Sequence, residues 1–210
     1  MGNNVHIVPN QEHLRRLKVF IDVFYAIIFY RMLEYLPPAE NMEWTKLPYG
    51  LLSLLIDHRI ELLRIFIGAG LALIMWNQNN NLFKSLVKTN GFHATLSLLQ
   101  IVFVSLFIYF AISDPALVGG PSSPALQSAS LAIAGFIGIW AWLYAKKHQF
   151  VDENLTEDDL GKVTKQNLRE PLTATLTIPL SFMGPMIWTI GWFTLPILVI
   201  WALKLFWKKK

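Results

Sequence analysis

VFIDVFYAIIFYRMLEYL, Val19 to Leu36, has the length and apolar content of a helix that crosses a bilayer, yet it carries Asp22, Arg31 and Glu34. About 20 apolar residues suffice for a crossing. Each charge near the hydrocarbon centre costs roughly 2.5–3.5 kcal/mol on insertion scales. Such charges are tolerable outside lipid, beside a buried partner, or in contact with water. A helical repeat of about 3.6 residues sets Ile27, Tyr30, Arg31 and Glu34 on one face. Arg31 and Glu34 are three residues apart and can pair with each other. This face must meet protein or water. A buried ion pair that joins helices satisfies that condition, and so does a pore wall. Asp22 follows Arg16 by about one and a half turns, within reach of a polar network at the opposite end of the segment.

The rest of the chain supports a membrane reading of this stretch. Of 210 residues, 54% are hydrophobic and only 15% are charged, with a mean hydropathy of +0.42. Soluble domains carry about 25% charged residues, and lipid-facing positions cannot be polar. Six apolar segments stand out, at roughly 17–36, 56–76, 92–112, 125–145, 171–187 and 190–207. They predict an all-α, polytopic membrane protein, a single domain over residues 1–210. The second segment is crowded by Asp57, Arg59, Glu61 and Arg64, and the last two form a hairpin around Gly184-Pro185. Ser130, Ala134 and Gly138 make a stripe of small residues suited to close helix packing.

The basic residues set the orientation. With the N-terminus cytoplasmic, the inner side holds Arg15, Arg16, Lys18, Lys84, Lys88, Lys146, Lys147, Lys162, Lys165, Arg169, Lys208, Lys209 and Lys210. The outer side holds Lys46, with Arg59 at a helix mouth. Cytoplasmic loops carry such an excess of Lys and Arg, and both termini inside agrees with an even number of spans. The net charge of +4 is thus a topology signal, and no nucleic-acid partner is implied. Trp44, Trp76, Trp142, Trp188, Trp192 and Trp207 fall near segment ends, where indole rings sit at headgroups. The first 18 residues lack the pattern of a cleaved signal peptide.

The polar stretch from Lys146 to Glu170 reads as a cytoplasmic loop containing a short helix, with Thr156 as N-cap and Asp159 in an acidic first turn. Asn77, Asn79, Asn80 and Asn81 read as an interfacial turn. Thr173, Thr177 and Ser181 read as hydroxyls that back-bond to helix carbonyls or pack between helices. No dinucleotide, P-loop, zincin or nucleophile-elbow motif is present. The five His residues (His6, His13, His58, His93, His148) lack metal-ligand spacing, and the absence of Cys excludes disulfides and thiolate sites. No enzyme, cofactor or bound metal is expected.

Arg16-Leu-Lys-Val-Phe20-Ile21-Asp22 resembles the R-x-x-x-F-S-D signature of the transmembrane protein 175 type of potassium channel, found in endolysosomes and prokaryotes. Ala26-Ile27-Ile28 matches the small-hydrophobic run that follows it. The stretch from Trp76 to Phe83 is similar to the family's W-x-x-H-H-x-x-F, and Pro171 matches the proline that opens span five. The resemblance implies a tetramer of six-helix subunits in the cell membrane, with span one around a central pore. It places the apolar constriction at Ile27 and the next pore positions at Tyr30, Arg31 and Glu34. It places the inner polar network at Arg16, Asp22, Trp76, Asn79 and Asn80. The signature Ser is replaced by Ile21, and the two His by Asn79 and Asn80, which keeps hydrogen bonding without histidine's titration. The expectation is an ion channel, potassium-channel-like, in which rings of Tyr30, Arg31 and Glu34 alter or abolish selectivity. The alternative is a non-conducting scaffold or regulatory subunit in which Arg31 and Glu34 act as structural locks.

Overall fold

A computed structural model describes residues 9–34, 56, 59–113 and 122–207. It contains six helices: α1 (Pro9–Leu33), α2 (Arg59–Lys84), α3 (Gly91–Ser113), α4 (Ser122–Lys147), α5 (Glu157–Ser181) and α6 (Pro185–Trp207). Trp44, Lys46, Asp57, His6, His58 and Lys208 to Lys210 lie outside the described residues, as does the outer-loop part of the orientation argument.

Three of these helices, at 91–111, 122–147 and 186–205, are long and apolar enough to cross a membrane. The other three segments expected to span mix apolar and polar residues. α1 carries Arg15, Arg16, Lys18, Asp22 and Arg31, α2 carries four asparagines near its C-terminus, and the first half of α5 is polar. Their apolar residues must be placed by packing rather than by bulk hydropathy.

Local chemistry explains the helix boundaries. The Thr156 hydroxyl accepts from the Asp159 backbone N–H, and the Asp159 carboxylate accepts from the Thr156 backbone N–H. This reciprocal bond satisfies two of the donors left over at a helix start. The Thr156 hydroxyl bond, followed by Lys162, holds the Asp159 carboxyl below its ordinary value. Asn90 caps α3 with a single bond, its Oδ1 accepting from the His93 N–H at 2.9 Å. Between α5 and α6 the chain turns through Gly184 at φ +120°, a left-handed conformation that glycine adopts without Cβ strain. Pro185 then opens α6, where its missing N–H costs nothing.

The short cytoplasmic helix and the fifth span expected from the sequence are one continuous helix, α5, through Pro171. A proline inside a helix removes one backbone bond and crowds the preceding turn. Here the ring seats against α4 at Gly135, where a built Cβ would come within 2.7 Å of Pro171 Cβ. The close approach that glycine permits keeps Pro171 buried and the helix continuous. The asparagine cluster is likewise helical, forming the last turns of α2.

α3, α4, α5 and α6 pack in chain order, while α1 lies at one flank against α2 and α3. Ser130, Ala134 and Gly138 are all buried. The Thr173 hydroxyl donates to the Arg169 carbonyl at 2.8 Å, and Thr177 to the Ala174 carbonyl at 2.7 Å and to Ser128 Oγ at 2.9 Å. The core contains Tyr25, Met32, Ile101, Val104 and Trp142. Trp142 departs from the expected interfacial belt: it is buried, and its indole N–H donates to Thr164 Oγ1 at 2.9 Å. At the end of the bundle where α2 and α4 finish, the two connectors clip together. Val87 N–H donates to the Phe150 carbonyl at 2.9 Å, and Asp152 N–H to the Ser85 carbonyl at 3.0 Å.

Candidate functional site

α1 buries only a narrow stripe: Leu14, Leu17, Ile21, Tyr25 and Met32. Opposite it lie Phe20, Val23, Ile27 and Tyr30, with Ile27 51% and Tyr30 64% exposed. Large apolar side chains left open along one helix face mark a surface that another apolar phase must cover. Arg31 and Glu34 stand at the C-terminal end of the same face, both exposed, with Arg31 Nη1 2.6 Å from Glu34 Oε2. The pairing foreseen from their spacing is present, and it joins the last turn of α1 to Glu34 just beyond the helix end. It neutralises both charges locally. Beside this face, a largely apolar cavity of about 190 Å³ separates the C-terminal half of α1 from α3. Phe24, Ile27, Ile28, Arg31 and Met32 line one side, and Ser105, Ile108 and Tyr109 the other.

The residues expected to form an inner polar network are brought together in part. The Trp76 indole N–H donates to Asp22 Oδ1 at 2.8 Å, joining α2 to α1. Asn79, 5% exposed, donates through Nδ2 to the Tyr25 hydroxyl at 2.9 Å. Asn80 is half-buried. Arg16 does not join Asp22. It is exposed and pairs with Glu12 at 2.5 Å along α1. Six residues turn the helix by roughly 240°, so Arg16 and Asp22 point in different directions.

Tyr25, Gln78 and Glu170 belong to the polar framework without any local sequence signal. Tyr25 sits in an apolar run, and its role depends on a partner 54 positions away. Gln78 Nε2 donates to Glu170 Oε1 at 2.5 Å, connecting α2 to α5 across 92 positions. The one available hint is that Glu170 immediately precedes Pro171 at the start of an apolar segment. Together the three bonds fix α1 on α2 and α2 on α5. They set the rotation of α1, and therefore which of its residues point outward.

No family model matches the chain, and no curated protein does. Among solved structures, the chain is similar to the crystal structure of a lysosomal potassium-selective channel TMEM175 homolog from Chamaesiphon minutus. The TM-score is 0.67 at 16% sequence identity, covering 92% of this chain and 99% of that one. The chain therefore has the fold of that channel.

Proposed function

We propose that this chain is the subunit of a homo-oligomeric ion channel of the cell membrane, with α1 as the pore helix and a tetramer as the expected assembly. The observation that carries this reading is the open face of α1: Phe20, Val23, Ile27 and Tyr30 lie exposed on a helix whose other side is buried. A closed ring of identical subunits covers such a face by turning it toward a common axis. Both termini are then cytoplasmic, and the polar ends of α2, α4 and α5 meet at the inner surface.

Four Ile27 side chains around that axis form an apolar constriction, which gates by excluding water. One turn further, Tyr30 narrows the path and Arg31 lines it. A bare ring of arginines would repel cations and admit anions. Each Arg31 carries its own Glu34 at 2.6 Å, so every positive charge is matched within its own chain. Cation conduction, potassium included, survives this balance. The same pairing bears on the scaffold reading: a lock between helices would join distant segments, whereas this bond joins positions three apart in sequence.

The test is a reversal potential from purified protein in planar bilayers under K⁺, Na⁺ and Cl⁻ gradients. A value at the K⁺ equilibrium potential supports the proposal. A value that follows Cl⁻ places the Arg31 charge in control of selectivity and overturns the cation reading. Absence of current from a verified oligomer overturns the channel and leaves the scaffold.

A further inference from the structure

A second, smaller polar site lies inside the subunit, away from the open face of α1. A cavity of about 20 Å³ is bordered by Gln78 and Asn79 of α2, Gln100 of α3, and Asn167 and Glu170 of α5. Four carboxamides and a carboxylate share this small space with Met75, Leu82 and Ile139. One water needs about 10–15 Å³ of such volume, so the guest is no larger than one or two water molecules. We propose that this cavity binds a single alkali-metal cation in each subunit, with Glu170 as the anionic ligand and carboxamide oxygens as the rest of the shell.

The donor inventory favours a cation. Gln78 uses its NH₂ group on Glu170, and Asn79 uses its own on the Tyr25 hydroxyl. The opposite ends of both amides are carbonyl oxygens, the ligands that hard cations prefer. Asn167 Nδ2 is buried and has no protein acceptor. A half-turn of that amide exchanges nitrogen for oxygen. The backbone carbonyl of Asn167 also loses its helical donor, because Pro171, four residues on, has no N–H.

Charge and size narrow the choice further. Glu170 is half-buried and accepts from a neutral amide, that of Gln78, and a carboxylate withdrawn from water without a counter-charge is costly. A univalent cation cancels it. Divalent cations demand more carboxylates or retained waters than this space holds. Gly138 completes the cradle: a Cβ there would come within 2.6 Å of Gln100 Nε2, so glycine lets the Gln100 amide lie against α4.

The test is thermal unfolding of the intact, detergent-solubilised protein at constant ionic strength, with Na⁺ or K⁺ replacing N-methyl-D-glucamine. The expected result is a saturable rise in Tm of about 3–6 °C at tenfold over the dissociation constant, abolished in Glu170→Gln. No ion-specific rise overturns the proposal. A rise that persists in Glu170→Gln also overturns it, because the ion then sits elsewhere, as on the α1 axis. A second measurement does not depend on that variant folding. Crystals of the wild-type protein soaked in Tl⁺ are expected to give an anomalous peak between Glu170 and Gln100, and a cavity without anomalous signal contradicts the site.

Discussion

The bond between Asn79 and Tyr25 makes a specific demand on a double-mutant cycle. Tyr25 is 1% exposed and Asn79 is 5% exposed, with 2.9 Å between Nδ2 and the hydroxyl. Tyr25→Phe deletes the acceptor and leaves the carboxamide donor buried. Asn79→Leu, which keeps the branching, leaves the hydroxyl buried instead. Either change should cost about 1–3 kcal/mol, the penalty of an orphaned buried polar group. For a chain of this size each kcal/mol lowers Tm by about 2–4 °C, so a loss of roughly 6 °C is expected from either single variant. The double variant contains neither orphan, and its loss should be no greater than that of one single. The coupling is then at least the cost of one single variant, about 1–3 kcal/mol, within the range for residues in contact. Thermal unfolding followed by tryptophan fluorescence in detergent reads the shift, with size-exclusion chromatography confirming that all four proteins assemble alike. Losses that add in the double variant would refute the claim that this bond joins α1 to α2.

Glycine substitutions separate packing from propensity. Gly135→Ala drives a Cβ to within 2.7 Å of the Pro171 ring and should lower Tm, since overpacking costs about 1–3 kcal/mol. Gly161→Ala meets nothing within 4 Å and should raise Tm, by about 0.5–1 kcal/mol of recovered backbone entropy. Thr156→Ala removes the α5 cap and should cost about 1 kcal/mol near neutral pH. Asp159 is held below its ordinary value in the fold, so its contribution is complete above the usual carboxylate range and lost as acid takes the pH through the lowered value. The gap between wild type and Thr156→Ala in a pH series of unfolding curves should narrow there, and a gap that widens in acid contradicts the assignment. Glu34→Leu alone should move the reversal potential toward Cl⁻ by leaving Arg31 unpaired, whereas Arg31→Leu with Glu34→Leu should restore cation preference. Unchanged potentials in both would remove the pair from the conduction path.

Features of short range were legible in the sequence. The Arg31–Glu34 pair follows from a three-residue spacing, the Thr156–Asp159 cap from a four-residue pattern, and the α5–α6 turn from Gly184-Pro185. Apolar periodicity located helices, although α1 begins at Pro9 rather than near residue 17, because its first two turns are polar and only tertiary packing selects them. The continuity of α5 could not be read, since it depends on Gly135 accepting the Pro171 ring from another helix. Asn79 and Glu170 looked like turn and loop residues for the same reason. Their partners are 54 and 92 positions distant, and polarity alone does not distinguish a solvated amide from one that joins two helices. Arg16 and Asp22, assigned to one inner network, have different partners within the chain, Glu12 and Trp76, because six residues turn the helix by roughly 240°.

The central claim, that α1 lines a conducting axis, is tested most directly by single cysteines on this cysteine-free background. Val23→Cys, Ile27→Cys and Tyr30→Cys place thiols on the open face, and Ile21→Cys, Tyr25→Cys and Met32→Cys on the buried one. With current recorded in bilayers while a small charged thiol reagent is applied, the account predicts modification and block at the first three positions and neither at the last three. Equal inaccessibility of all six, or modification of the open face with current unchanged, would contradict it.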